Sequence, residues 1–259
     1  MRIHGFHHLY QHRLQLSTRP FAARGAKIDR CPYCRVDKKT CLCADQPDIT
    51  TDVAVLLILS ENEVFKPSNT GRLIADTVKE TFVYQWNRTQ PDPSMLALLD
   101  DPAYYPVLVF PAEHEEDQAR TIEPNTVAQS GKKPLLILLD GSWREAKKIF
   151  RKSSYLADLP MISVHPTVLS EYMMRKSDNE QHLATAEVAC LVLDAIGEHW
   201  GAQVLHAWFE AFKESYMRGK SRAAYSSARP ALQHYRDMLL QHGIASQESD
   251  NENTAQTVS

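Results

Sequence analysis

Four cysteines lie within thirteen residues near the start of the chain, and they restrict its local fold more than any other feature. They form two pairs, Cys31 with Cys34 and Cys41 with Cys43, spaced as Cys-X-X-Cys and Cys-X-Cys. Two such pairs on short turns are the ligand set of a tetrahedral zinc site. Because four sulfurs occupy every coordination position, the predicted zinc ion is structural and takes no part in catalysis.

Two disulfides are the alternative for these cysteines. Disulfide frameworks are typical of small secreted domains, whereas this chain has 259 residues and starts without the continuous apolar stretch of a secretory signal. Zinc is therefore the preferred interpretation. The fifth cysteine, Cys190, lies in the apolar run 188–193 and is interpreted as a buried apolar residue.

Charge is unevenly distributed along the chain. The first 40 residues contain nine Arg or Lys against two Asp, although the net charge is −3. We interpret residues 1–28 as a basic arm for an anionic polymer, with an organelle transit peptide as the alternative. Residues 244–259 contain three acids and no base, which predicts a disordered acidic tail. No apolar run is long enough for a membrane helix, so we expect a cytoplasmic protein without a membrane or obligate protein partner.

Short aliphatic runs alternate with longer amphipathic segments after the cysteines. Strands are predicted at Val53–Leu59, Phe82–Trp86, Val107–Phe110, Leu135–Leu139 and Met161–Val164. Helices are predicted at Gly71–Lys79, Pro93–Leu99, Trp143–Lys152, Thr185–Ile196 and Gln203–Met217. Wholly apolar strands favour an α/β fold with a mostly parallel sheet flanked by helices. The metal-binding segment spans residues 29–48, the main domain residues 49–222, and a C-terminal helical segment residues 223–243.

Asp140 ends the strand that runs directly into Gly141, Ser142 and Trp143. Ligands of open parallel sheets bind beyond the carboxyl ends of the strands, so Asp140 is either a turn-forming residue or a general base. Ser142 and Glu145 have the spacing of a helix capping box, which favours a structural role for both.

Five cations lie on one face of the helix that follows: Arg144, Lys147, Lys148, Arg151 and Lys152. Such a row is either a solvated face or a surface for nucleic-acid phosphates. The segment 67–72 ends in Arg72 at a helix start and is either an ordinary cap or an anion site. Thr185 and Glu187 open an apolar helix, and Phe110 and Pro111 end a strand, so they are candidates for a ligand pocket. Glu187 is either a first-turn acid favoured by the helix dipole or a pocket residue that binds an ammonium or hydroxyl group. The sequence contains no GxGxxG, GxxxxGK[ST] or GxSxG motif, which argues against a dinucleotide fold, a P-loop or a hydrolase elbow.

Taken together and in this order, these motifs resemble the DTW-domain family from about Arg19 to Lys220. They are residues 18–20, the four cysteines, residues 66–76, Phe110-Pro111, residues 140–143 with 151–153, and residues 185–187. Ser142 replaces the usual threonine of the name-giving motif, and Met173 leaves only Arg175 of a common arginine pair.

The resemblance implies a fold similar to the trefoil-knotted SPOUT methyltransferases and a pocket for S-adenosylmethionine. It also implies transfer of the 3-amino-3-carboxypropyl group to N3 of a uridine in the tRNA variable loop, with release of 5′-methylthioadenosine. Asp140 would then be the catalytic residue of the motif formed by Asp140, Gly141, Ser142 and Trp143. Phe110, Pro111, Thr185 and Glu187 would bind the donor. Arg72, Arg175 and the five cations of residues 144–152 would contact tRNA. A methyltransferase of the same fold and a non-catalytic zinc-dependent RNA-binding module are the alternatives.

Overall fold

Five parallel strands form the centre of the computed structural model, which describes residues 1–18, 28–112, 114–164, 184–220 and 228–256. The strands are β1 (Ala54–Leu59), β2 (Thr81–Gln85), β3 (Tyr104–Val109), β4 (Lys133–Asp140) and β5 (Met161–Ile162). Their order in the sheet is β2-β1-β4-β3-β5. Every neighbouring pair is parallel, which confirms the predicted α/β fold with a mostly parallel sheet.

Both faces of the central strands are covered. All six residues of β1 are buried, because Val55, Leu57 and Leu59 pack into one core while Ala54, Leu56 and Ile58 pack into a second. This division follows from the alternation of side chains along a strand. It also explains why the central strands have apolar runs without polar alternation.

Nine helices flank the sheet in the described residues. They are α1 (Gly5–Leu16), α2 (Gly71–Thr77), α3 (Pro93–Leu99), α4 (Glu115–Ala119), α5 (Pro124–Gln129), α6 (Trp143–Lys152), α7 (Thr185–Ala195), α8 (His199–Lys220) and α9 (Pro230–Gln256). Apolar residues of α1, α2, α5, α7, α8 and α9 join the core of the first face, whereas those of α3 and α6 join the core of the second. The predicted bounds of α3 and α6 are confirmed, and the other predicted helices and strands are present with shifted ends.

The N-terminal segment is not a free arm over residues 1–18, and the interpretation of 1–28 needs this correction. Helix α1 buries Phe6 and Tyr10 against the first core. Arg2 donates hydrogen bonds to the carbonyl oxygens of Ala75 and Asp76 at 3.0 and 2.7 Å, so its charge is used within the protein. Residues 19–27 lie outside the described residues.

The C-terminal tail also differs from its prediction, because α9 continues to Gln256 through most of the segment expected to be disordered. No proline follows Pro230 in this segment, so every later residue of the helix has a backbone N–H group to donate. The trefoil knot implied by the resemblance stays a prediction, and residues 165–183 lie outside the described part of the chain. Among the helices that are described, none has the length and apolar character needed to cross a bilayer.

Candidate functional site

The side chains of the four clustered cysteines converge, so that their sulfur atoms surround a common position. Their sulfur atoms all lie within 4.8 Å of one another, with 3.6 Å between the sulfurs of Cys31 and Cys43 and 3.7 Å between those of Cys34 and Cys41. Sulfurs bound at about 2.3 Å to a tetrahedral zinc ion are about 3.8 Å apart. A disulfide would join them at about 2.05 Å. The arrangement therefore fits a metal ion and excludes disulfide pairing of these cysteines.

The metal-binding segment belongs to the same core as the sheet. Val36, two residues after Cys34, and Leu42, between Cys41 and Cys43, are fully buried in the first core. Arg35 follows Cys34 with a φ of 63°, in the left-handed region that favours glycine. Its guanidinium lies 4.4 Å from the centre of the Tyr10 ring and donates a hydrogen bond to the Tyr10 hydroxyl. The turn around the metal site is thus joined to α1.

A second polar site lies at the carboxyl end of β4. Asp140 pairs with Leu59 of β1, and its side chain is 2% exposed. One carboxylate oxygen accepts a hydrogen bond from Asn69 Nδ2 at 2.7 Å, and the other accepts one from Thr185 Oγ1 at 2.6 Å. The structure therefore brings together three segments that the sequence had singled out separately.

Asp140 is buried, although it lies at the carboxyl end of a parallel strand, where ligands of such sheets bind. A cavity of about 1170 Å³ lies between α1 and β2 and is lined by His8, Arg13 and Tyr84 among others. A second cavity of about 300 Å³ lies between α1 and the metal-binding turn. Neither of these two cavities reaches Asp140. With Asp140 2% exposed, its carboxylate is closed to solvent in this arrangement.

A second carboxylate beside Asp140 was missed by the sequence analysis. Asn69 Nδ2 also donates to Glu63 Oε1 at 3.2 Å, and Glu63 is itself buried and ion-paired with Lys66. Burial, followed by the charge of Glu63, raises the pKa of Asp140 to about 6, although hydrogen bonds from Thr185 and Asn69 oppose the shift. Asp140 can therefore accept a proton near neutral pH. The position of Glu63, four residues beyond the carboxyl end of β1, was the signal that could have identified it.

The start of α2 is packed directly against Asp140. Asn69 Oδ1 accepts a hydrogen bond from the backbone N–H of Arg72 at 3.0 Å, so this side chain caps α2 while it also binds Asp140. A Cβ atom on Gly71 would lie 2.4 Å from Asp140 Oδ2. Only glycine leaves room for the carboxylate at this position.

The turn after Asp140 connects the site to α6. The predicted capping box is present, with the Glu145 carboxylate accepting from the backbone N–H of Ser142 at 2.8 Å. The Trp143 ring stacks on Phe110 at 5.4 Å between centroids, and Phe110 stacks on Phe150 at 4.5 Å. Gly141 lies close to Ser60, because a Cβ there would be 3.0 Å from Ser60 Oγ. These contacts fix the turn against the ends of β1 and β3.

The four predicted donor-binding residues have different surroundings. Phe110 is buried in the aromatic stack, and Pro111 beside it is half-buried. Thr185 is half-buried and bonded to Asp140. Glu187 accepts a hydrogen bond from the backbone N–H of Ala184 at 2.7 Å, which is the contact of a first-turn acid that caps its own helix. Thr185 and Asp140 are thus in direct contact, while the Glu187 carboxylate is used for capping.

The predicted RNA-binding residues divide into two groups. Arg72 is 2% exposed, so its side chain cannot reach a phosphate and its assignment to RNA binding is wrong. Arg144, Lys148, Arg151 and Lys152 are exposed, whereas Lys147 is half-buried over the Trp143 ring. No carboxylate of the described residues forms an ion pair with any of these four exposed cations. Arg175 lies outside the described residues.

The family model of the DTW domain matches residues 28–217, a span that contains the cysteine cluster, Asp140 and Thr185. The chain belongs to the DTW domain family. This family is linked to tRNA modification, which supports a general tRNA-related role for the protein. No solved structure matches the chain.

Proposed function

We propose that this DTW-domain protein transfers the 3-amino-3-carboxypropyl group of S-adenosylmethionine to N3 of a tRNA uridine. The observation that supports it most is the buried Asp140 carboxylate bonded to the half-buried Thr185 hydroxyl at the carboxyl end of the central strands. In the reaction, N3 forms a bond to the γ-carbon of the donor while the bond from that carbon to sulfur breaks. 5′-Methylthioadenosine leaves, and the N3 proton must pass to a base.

Asp140 is the proposed proton acceptor, and its burial means that Thr185 connects it to the substrate. The hydroxyl of Thr185 donates to Asp140 Oδ1 at 2.6 Å. We place the N3–H group against Thr185 Oγ1, which accepts the proton while it passes its own to the carboxylate. Asn69 retains its hydrogen bond to the other carboxylate oxygen during this transfer. A pKa of about 6 leaves Asp140 ionised at neutral pH and yet basic enough to take the proton.

The donor is proposed to bind at the same edge of the sheet, beside Phe110, Pro111 and Thr185. The sulfonium is a good leaving group, so most of the remaining barrier concerns alignment of the γ-carbon with N3. The same alignment decides whether the γ-carbon or the methyl group is transferred. Glu187 is half-buried at the start of α7 and caps this helix through Oε2, and its Oε1 is the proposed acceptor for the ammonium group of the donor.

The exposed face of α6 is the proposed contact with tRNA. Its cations, Arg144, Lys148, Arg151 and Lys152, follow the turn that contains Asp140. Charge of this kind attracts the phosphate backbone without reading its sequence. The face therefore delivers the RNA to the neighbourhood of Thr185.

Single-turnover assays with three variants test the proton path. Thr185→Val removes the hydroxyl while preserving the shape of the side chain, and Asp140→Asn removes the acceptor. Each is expected to lower the rate of transfer about 10²–10⁴-fold, the usual contribution of general-base catalysis. Thr185→Ser, the matched control, keeps the hydroxyl and most of the rate. Wild-type turnover in Thr185→Val would remove Thr185 from the mechanism.

The products distinguish the proposal from its two alternatives. A methyltransferase of the same fold would release S-adenosylhomocysteine in place of 5′-methylthioadenosine. A non-catalytic RNA-binding module would bind tRNA but give no heat with S-adenosylmethionine in calorimetry. Either result with the purified wild-type protein would contradict the proposed transfer.

A further inference from the structure

Arg72 is a buried cation whose hydrogen-bonding groups are mostly unpaired. Its side chain is 2% exposed, and within the described residues its Nε and Nη2 atoms have no hydrogen-bond partner. No carboxylate of those residues lies within ion-pair distance of the guanidinium. Asp76, one helical turn further along α2, uses its two oxygens for His4, Gln46 and Trp208. Asp76 therefore acts on Arg72 through its charge without an ion-pair contact. Buried N–H groups without an acceptor in the described residues are costly, which leaves room for a further negative group beside the guanidinium.

The guanidinium faces the metal-binding cysteines. Its Nη1 atom lies 3.5 Å from the backbone carbonyl oxygen of Tyr33, between Cys31 and Cys34. On its other side it lies 5.2 Å from the centre of the Phe212 ring. Burial lowers the pKa of Arg72, whereas the charges of Asp76, Cys34 and Cys43 raise it. The contact with the Tyr33 carbonyl places the guanidinium against the turn that contains Cys31 and Cys34.

A four-thiolate metal centre would supply negative charge beside these unpaired N–H groups. Four thiolates around a divalent ion leave a net charge of −2, and a centre of this kind is stabilised by cations and N–H donors that surround its sulfurs. Cys31 and Cys34 are buried, so water cannot provide that stabilisation on their side. Arg72 is the fully buried arginine beside these sulfurs in the described part of the chain.

We infer that Arg72 is the charge partner of the four-cysteine metal centre and that it couples this centre to the Asp140 site. The coupling follows from the backbone of Arg72, whose N–H group is held by Asn69 Oδ1. Asn69 in turn donates to Asp140 Oδ2 through its other side-chain atom. In this arrangement the charge of the metal centre positions the Arg72 guanidinium, and Arg72 positions the first turn of α2. Asn69, which is bonded to that turn, is thereby positioned to donate to Asp140. The inference depends on the metal centre and not on the proposed transfer reaction.

Zinc affinity in the full-length protein tests the charge partnership. Zinc is competed away with a chromogenic chelator from the wild type, Arg72→Met, Arg72→Lys and Arg120→Met. We expect Arg72→Met to raise the zinc dissociation constant about 10–100-fold, the usual effect of losing a group that supports the ligands. Arg72→Lys restores the positive charge and should recover most of the affinity. Arg120→Met is the matched control, because Arg120 also lies over an aromatic ring, Phe150, but away from the cysteines.

A spectroscopic readout separates this role from general loss of structure. In the cobalt-substituted protein, Arg72→Met should shift the sulfur-to-cobalt charge-transfer bands, whereas Arg120→Met should leave them unchanged. Wild-type zinc affinity and unchanged cobalt bands in Arg72→Met with native circular dichroism would overturn the inference.

Hydrogen exchange of the wild-type protein keeps the inference testable if Arg72→Met does not fold. Removal of zinc should speed amide exchange of residues 69–72 selectively, while the amides of β3 remain protected. Equal exchange at residues 69–72 with and without zinc would overturn the coupling. A uniform increase that includes β3 would also overturn it, because the metal would then stabilise the whole fold without a specific link to α2.

Discussion

Gly71→Ala is predicted to destabilise the protein although it replaces glycine in a helix. Gly71 is the first residue of α2, and its φ is not in the left-handed region, so the backbone itself accepts alanine. In the absence of other contacts, alanine would stabilise a helix by up to about 1 kcal/mol. The added Cβ would instead lie 2.4 Å from Asp140 Oδ2, about 1 Å closer than the 3.4 Å at which ordinary contact begins.

The size of the effect follows from what must move to relieve this contact. Asp140 is held by Asn69 and Thr185, so a shift of its carboxylate weakens two hydrogen bonds at once. Forcing an extra carbon into a packed site costs typically about 1–3 kcal/mol. We therefore expect a net loss of about 1–3 kcal/mol in the free energy of unfolding, of opposite sign to the helix-propensity effect.

Urea unfolding at pH 7 measures this difference, with Gly243→Ala as the matched control. Gly243 is also helical, in α9, but nothing lies within 4 Å of the position of its Cβ. Gly243→Ala should therefore raise stability by about 0.5–1 kcal/mol. An unfolding midpoint of Gly71→Ala at or above that of the wild type would refute the packing of α2 against Asp140.

Two further predictions concern charge. The pKa of Asp140 is raised from 3.8 to about 6 in the folded protein, so its contribution to stability is fully present below about 4 and is lost as the pH rises through 6. The urea midpoint of Asp140→Asn relative to the wild type should therefore increase between pH 4 and pH 7, and a constant difference would contradict the raised pKa. In tRNA binding, Arg151→Ala and Lys152→Ala should each weaken affinity and reduce the slope of log affinity against log salt by about 1. Lys213→Ala, which removes a lysine ion-paired with Glu210 on α8, should leave the slope unchanged.

The sheet was predictable from sequence because its central strands are buried on both faces. Leu135–Leu139 and Val53–Leu59 contain few polar residues, so they were recognised as strands by composition alone. Helix α1 was missed because histidines separate its apolar residues, and His7 is itself buried with its pKa lowered to about 4 by burial. The amino-acid sequence does not distinguish a buried, neutral histidine from an exposed, charged one.

The sequence was sufficient to predict which residues form the candidate site, but not how exposed their side chains are. Asp140, Thr185 and the segment before α2 were each singled out because they lie at strand ends or helix starts. Arg72 at a helix start has the local pattern of an anion site, and it is buried because α2 packs against the cysteine-containing turn and against Phe212 of α8. The exposure of a side chain depends on contacts between segments that are distant in the sequence. Motif spacing and hydrophobic periodicity describe only local structure and cannot predict those contacts.

Mass spectrometry of the complete reaction tests the central claim most directly. Purified zinc-loaded protein is incubated with unmodified tRNA and S-adenosylmethionine, and both the tRNA nucleosides and the small-molecule products are quantified. The account predicts 3-(3-amino-3-carboxypropyl)uridine and 5′-methylthioadenosine in equal amounts, with both lost in Asp140→Asn. S-Adenosylhomocysteine with a methylated nucleoside, or equal yields from wild type and Asp140→Asn, would contradict it.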